Sequence, residues 1–185
     1  THGGIVGSPS IVLSKDLLTM AASFPCQLPK VAVPYEGTLS LGISTSNGGR
    51  FATYAYMGVV TKEEVGIPLV EIIRGRKHTP ATTAQSLSLE IVENLWVEAQ
   101  EVDNLIYHLE KTKISHKRLE QLILVAGRKK LLPWSHLGEV DTILSKVEKL
   151  SGWELLTTFS LIAQKSPPLK QMSKVFKFRE LIPGW

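Results

Sequence analysis

The chain has 185 residues, 43% of them apolar, which is enough for one domain with a hydrophobic core. No apolar run approaches the roughly 20 residues that a membrane-spanning helix needs, so the sequence predicts no membrane segment. The single cysteine, Cys26, excludes an internal disulfide and a thiolate metal site, which favours a reducing, cytoplasmic setting.

The net charge is only +4, but its distribution along the chain is uneven. Residues 78–110 hold six acids and no Lys or Arg, whereas residues 111–130 hold seven basic residues and one acid. Positive blocks separated by a negative segment can present basic patches to an anionic partner. Each block is equally compatible with an ordinary solvated helix face.

The first 35 residues predict one strand and one short helix. Ile11 to Leu13 fits a short strand, and Ser14 fits the N-cap of a helix that runs to about Ala22. The three prolines between Phe24 and Tyr35 predict a loop or an edge segment there.

A β-meander is predicted between Leu39 and Ile73. Asn47-Gly48 lies between two β-rich runs and is a strong hairpin signal, and a polar turn at residues 61–66 precedes a third strand. Tyr54 and Tyr56 are two residues apart, so their rings share one face of a strand while Ala55 and Met57 take the other.

Aromatic rings and cations are predicted to meet at the end of this meander, as single-stranded nucleic acids require: a basic groove with aromatic platforms. Gly75 lets a phosphate approach the backbone, and the clustered cations around it repel each other without a counter-charge. The alternative is that the tyrosines fill a second core layer with their hydroxyls at its rim. The candidate phosphate contacts are Arg50, Arg74, Arg76, Lys77 and His78, and the candidate stacking residues are Tyr54 and Tyr56.

The second half of the chain is predicted to be helical. Apolar residues at three- and four-residue spacing predict a long helix over roughly 83–111, whose acidic outer side suits a structural role or an oligomer contact. A second helix is expected from Ser115 to Gly127, and a third over about 139–150, after a turn-rich link at 133–138. Ser151 and Glu154 form a capping box that opens a fourth helix before Pro167-Pro168. For the tail from Leu169 the pattern permits a strand, a short helix or a docking arm.

A second cationic cluster, Arg128, Lys129 and Lys130, follows the second helix. Cations are favoured near the negative end of a helix dipole, so a structural explanation is as good as phosphate contact. As candidate binding residues, the three would extend the nucleic-acid path.

No motif predicts an enzyme or a cofactor. The phosphate-loop, dinucleotide-binding and His-Glu-x-x-His patterns are absent, and a predicted helix break separates His108 from His116, so no metal site is expected. The catalytic alternative is a metal-dependent nuclease that would use Glu71 beside Lys77.

One run of sequence has a familiar order of features: Ser44 to Gly58, then Arg76-Lys-His-Thr79, a long helix, and the Trp-containing segment Gly152 to Phe159. This order resembles a family of phage and plasmid proteins that carry a widespread domain of unknown function. That family tends to have a Cys-x-Asn-Gly segment where this chain has Thr61 to Gly66. The resemblance implies DNA replication or recombination in a bacterial or phage-infected host. The sheet-then-helix order is also similar to single-strand annealing proteins, by analogy of fold.

The sequence therefore predicts an α+β fold, with a small antiparallel β-meander packed against about four helices. A β-rich part over 1–80 and a helical part over 81–185 are expected to form one continuous domain. The expected function is non-sequence-specific binding or annealing of single-stranded DNA, with RNA as an alternative ligand, by a homo-oligomer without catalysis. The main alternative is an oligomeric protein–protein module built on the long helix and the Phe176/Phe178 tail.

Overall fold

The protein is α+β, as the sequence predicts. The computed structural model describes residues 4–5, 10–13, 19–27, 37–46, 53–76, 84–166 and 168–182, and the surroundings of side chains over 37–43, 54–73, 97–166 and 170–182. It has two compact units, Thr1–Asp103 and Asn104–Trp185, whose boundary falls inside the first helix. The second unit, Asn104–Trp185, is called the helical unit below. Every named strand lies in the first unit. The union of both parts in one continuous domain stays a prediction.

The sheet is antiparallel and larger than the predicted meander. Its strands are β1 Gly4–Ile5, β2 Ser10–Leu13, β3 Thr19–Gln27, β4 Gly37–Ser46, β5 Thr53–Thr61 and β6 Gly66–Arg76. The strand order is β1-β3-β4-β5-β6, and β2 also pairs with β3. The predicted meander is confirmed as β4–β5–β6, whereas the Asn47-Gly48 turn lies outside the described residues.

The β3 strand corrects two predictions for the N-terminal part. The helix expected to reach Ala22 is wrong over residues 19–22, because these residues are in a strand. Of the two forms expected from Phe24, the loop is wrong as far as Gln27, whereas the edge segment agrees with Phe24 and Pro25, which pair with β4 but with neither β1 nor β2. The pairing of β3 with strands on both sides outweighs local propensity. On one side, β2 pairs as far as Ser23 and β1 pairs from Cys26, so the described pairing breaks opposite Pro25, whose nitrogen carries no hydrogen.

The β5–β6 hairpin is irregular, because its pairing register shifts three times. The β6 strand has 11 residues and β5 has nine, so extra β6 residues are accommodated as bulges, which bend a strand and increase its twist. Consecutive residues of β5 are buried: Ala55, Tyr56, Met57 and Val59 are each at most 3% exposed. Both faces of this strand are therefore covered.

The described part of the chain has five helices after the sheet: α1 Ala84–Lys111, α2 His116–Arg128, α3 Trp134–Leu144, α4 Gly152–Ala163 and α5 Pro168–Arg179. The predictions of a long helix and of a capping box are confirmed. In α1, buried residues recur at three- and four-residue spacing, such as Val102, Ile106 and Leu109. Ser151 and Glu154 form the predicted capping box at the start of α4.

Two predicted helix ends are wrong. Gly127 lies within α2 instead of ending it, and the residue in the left-handed conformation is Lys130, with φ 55°. The third helix begins at Trp134 and ends at Leu144, where a turn-rich link and a later helix were expected. Pro133 is compatible with this start because proline is tolerated at the beginning of a helix, where its missing N–H has no helical partner.

The helical unit has an aromatic contact at its centre. The rings of Phe159 on α4 and Phe178 on α5 stack at 3.7 Å, and both are fully buried. Gln171 Nε2 donates to the carbonyl of Ser166 at 2.7 Å, which ties α5 to the end of α4. The tail is thus a packed helix, one of the three predicted forms. In the described part of the chain, no helix combines the length and hydropathy needed to cross a membrane.

Candidate nucleic-acid interface

The two tyrosines of β5 share a face, as their spacing predicts. Their ring centroids are 6.2 Å apart and the rings are parallel within 1°. Tyr56 lies opposite Gly42 and Glu71 on the neighbouring strands and is only 3% exposed. Tyr54 is partly exposed, so it is the residue of this pair that is more open to solvent.

The register of the hairpin brings the basic segment to the same end of the sheet as Tyr54. Thr53, the residue before Tyr54, pairs with Arg76, and the register shift that follows it falls between Arg76 and Ile73 of β6. The backbone of Arg74 to Arg76 is therefore next to the start of β5, since neighbouring strands are about 4.8 Å apart. Three of the predicted phosphate contacts, Arg50, Lys77 and His78, lie outside the described residues.

The acidic residues of this hairpin do not come together. Glu71 lies in the middle of β6, while Glu63 and Glu64 lie in the turn at the opposite end from Arg76. Glu71 is seven positions after Glu64, which in extended chain is a spacing of roughly 20 Å. Within the described ranges, no three His, Cys, Asp or Glu side chains are grouped so that they could hold a metal ion. The nuclease alternative stays a hypothesis.

The second cationic cluster follows α2 in a defined turn. Lys130 N–H donates to the Gly127 carbonyl at 3.0 Å, and Leu131 N–H donates to the Ala126 carbonyl at 3.0 Å. These two bonds are the Schellman pattern, in which the left-handed position is usually glycine. Here that position is Lys130, and Arg128, Lys129 and Lys130 are all exposed.

Trp134 lies beside this cluster and is a candidate that the sequence reasoning missed. Its side chain is 58% exposed, although it is the first residue of α3. A Cβ added to Gly127 would be 2.2 Å from Cη2 of the indole, so the ring lies directly on the backbone of α2. In the sequence Gly127 is typical of a helix end, so no local pattern indicated this contact.

Positive charge is concentrated in the helical unit. Residues 104–185 contain fourteen Lys and Arg against seven Asp and Glu, whereas residues 1–103 contain seven against ten. On α5, Lys170, Lys174 and Lys177 recur at four- and three-residue spacing and therefore share a face. Burial lowers the pKa of the Lys174 ammonium, and the nearby Lys170 lowers it further.

Two carboxyl groups on the acidic side of α1 have raised pKa values. Burial raises the pKa of the Glu98 carboxyl, and the neighbouring Glu101 raises it further. Burial also raises the pKa of Asp103, whose buried Oδ1 accepts no hydrogen bond. Burial of both groups, and repulsion between Glu98 and Glu101, therefore disfavour the charged carboxylates. That this side of α1 repels phosphates stays a prediction.

The alternative function, an oligomeric protein–protein module, depends on the long helix and on the Phe176/Phe178 tail as contact surfaces. Phe178 is buried against Phe159, and Phe176 is half-buried with the Arg179 guanidinium 4.5 Å from its ring centroid. These two rings are therefore part of the helical unit's own packing. Oligomer formation stays a prediction.

Comparison with known proteins adds no assignment to this geometry. The chain matches no known protein family, no curated protein and no solved structure. The resemblance to phage and plasmid proteins stays a prediction that depends on the motifs themselves.

Proposed function

We propose that this protein binds single-stranded nucleic acid, DNA in the first instance, without marked sequence preference. The observation that carries the proposal is the pairing of Thr53 with Arg76, because it brings the backbone of Arg74 to Arg76 to the start of β5, where the partly exposed Tyr54 lies. An aromatic platform next to cations holds one base and its phosphates whatever the base identity.

The roles differ between the residues of this site. Tyr54 stacks on a base, Tyr56 supports the Tyr54 ring from inside the sheet, and Arg74 and Arg76 contact phosphates. In the sequence, Arg50 precedes β5, and Lys77 and His78 directly follow β6. These three residues make further phosphate contacts. Replication or recombination is the setting that the family resemblance implies.

The charge distribution supports a polyanionic ligand. Like charges at four-residue spacing on a helix destabilise it, and a bound polyanion relieves that repulsion. The α5 face with Lys170, Lys174 and Lys177 is such an arrangement, in a unit with twice as many basic as acidic residues.

The proposal is tested by fluorescence anisotropy with a labelled oligo(dT), its RNA equivalent and a duplex, at several salt concentrations. The variant R74A/R76A is expected to bind oligo(dT) at least about tenfold more weakly, and its slope of log affinity against log salt should fall by about 1.4, or 0.7 for each lost phosphate contact. Y54A should weaken binding and Y54F should restore it, because the ring and not the hydroxyl stacks.

Lys62 offers a matched control. It lies in the turn of the same hairpin, at the end away from Arg76, and it is exposed. K62A removes one cation, as R76A does, but should leave affinity within about twofold. If R76A and K62A bind oligo(dT) equally tightly, the assignment of this end of the sheet is wrong. Light scattering of the free and bound protein measures the expected homo-oligomer.

A further inference from the structure

We propose a second binding site for single-stranded nucleic acid at the α2–α3 corner. The corner is defined by Gly127, Arg128, Lys129, Lys130 and Trp134. In this site the indole of Trp134 stacks on one base while the three cations contact the phosphates on either side of it. The inference takes the class of ligand from the proposed function, but it uses residues of the other compact unit.

The indole of Trp134 packs against the backbone on one side, but Trp134 is not part of the core. One side of the ring lies on the Gly127 backbone, so close that no side chain fits there, while 58% of Trp134 is open to solvent. A supported ring with a free surface is the geometry that base stacking uses, because every base offers a flat face.

The backbone of the corner keeps a cation where glycine is the usual residue. Lys130 has φ 55° in the Schellman turn, a conformation in which a side chain carries a steric penalty and glycine carries none. A lysine at this position places a third consecutive exposed cation next to Arg128 and Lys129. The turn thus concentrates positive charge at a cost in backbone strain.

Charge and distance both fit a nucleic-acid strand. No Asp or Glu occurs between Glu120 and Glu139, so no carboxylate of this segment offsets the three cations. Trp134 is four positions after Lys130, which places their Cα atoms at most about 14 Å apart. That span suits one stacked base and its neighbouring phosphates.

The test measures oligo(dT) binding by anisotropy and by quenching of tryptophan fluorescence in the full chain. W134A is expected to weaken binding by about tenfold, within the range that stacking of one base provides, and W134F should recover most of the loss. Quenching on oligo(dT) addition should be smaller in W134F than in the parent. K129A/K130A should lower the salt slope by about 1.4.

Two control variants have matched chemistry elsewhere in the same unit. L161A truncates an apolar side chain on α4 that is 44% exposed, and K146A/K149A removes two exposed lysines from the segment between α3 and α4. Both should bind oligo(dT) like the parent. If W134A binds like L161A, or K129A/K130A like K146A/K149A, the corner is not a binding site. If circular dichroism shows that W134A does not fold, the proposal is judged by two other measurements: the smaller quenching expected in W134F, and the oligo(dT) binding of K129A/K130A.

The outcomes separate the corner from the sheet. If the parent binds no oligonucleotide, both proposals fail. If R74A/R76A binds normally while the corner variants lose affinity, the sheet assignment fails and the corner stands. If vesicles containing phosphatidylserine quench Trp134 and oligo(dT) does not, the ligand is a membrane surface and the corner proposal is overturned.

Discussion

Replacing Gly58 with alanine should destabilise the hairpin that carries the candidate sheet site, because a Cβ at that position collides with the backbone of β6. A Cβ on Gly58 would lie 1.9 Å from the carbonyl oxygen of Ile67 and 2.9 Å from the Cα of Pro68. Both atoms belong to the backbone of β6, so no change of rotamer relieves the collision. The two strands must separate at the register shift between Met57 and Gly58.

The magnitude follows from what this separation disrupts. Losing one or two ladder hydrogen bonds costs about 1 kcal/mol each. Overpacking beside the fully buried Met57 and Val59 adds about 1 to 3 kcal/mol. G58A should therefore lower the free energy of unfolding by about 3 kcal/mol in total.

Gly66, at the start of β6, is the internal control, since a Cβ there meets nothing within 4 Å. G66A should leave stability within about 0.5 kcal/mol of the parent. Urea unfolding followed by far-UV circular dichroism measures the difference, and hydrogen exchange of β5 and β6 amides locates it. With m between about 1 and 3 kcal/mol/M, G58A should lower the midpoint by about 1 to 3 M. A G58A midpoint equal to that of G66A would refute the steric reasoning.

Three further predictions test the helical unit and α1. K130G should raise Tm by about 2 to 4 °C, because a residue with a side chain pays about 1 kcal/mol in the left-handed conformation and glycine does not. A Tm of K130G that is no higher than the Tm of K130A would contradict this reasoning. F178A should cost about 3 to 5 kcal/mol, since it removes a fully buried ring stacked on Phe159; a loss below about 1 kcal/mol by urea unfolding would mean that α5 does not depend on this contact. Burial raises the pKa of Asp103 in the folded chain, so its carboxylate opposes folding and stability falls as the pH rises through that pKa. D103N should therefore raise Tm at pH 7 and lose this gain by about pH 3, where the carboxyl is protonated in both states; an equal gain at both pH values excludes titration as the cause.

The best-predicted elements are those whose signal is local. Ser151 and Glu154 specify a helix start through bonds within four residues, and the structure has both bonds, from Glu154 N–H to Ser151 Oγ at 3.1 Å and from Ser151 N–H to Glu154 Oε2 at 2.8 Å. The long α1 was predictable for a related reason, because its apolar spacing repeats over many turns.

The misses arise where distant partners decide the outcome. The local sequence of Thr19 to Gln27 predicts a helix followed by a loop or an edge segment, yet these residues form a strand, because β4 pairs along one edge of it. The local sequence also predicts a helix end at Gly127, yet the lack of a side chain there makes room for the Trp134 ring, seven positions later. Neither partner can be found from the neighbouring sequence.

The sequence by itself determined that a β-meander precedes a long helix, that Tyr54 and Tyr56 share one face, and where the blocks of charge lie, because each depends on the period of a local element or on composition. Only the tertiary structure decided which aromatic rings remain available. Tyr56 is buried and Trp134 is exposed, since burial is set by what packs against a side chain and not by its own identity.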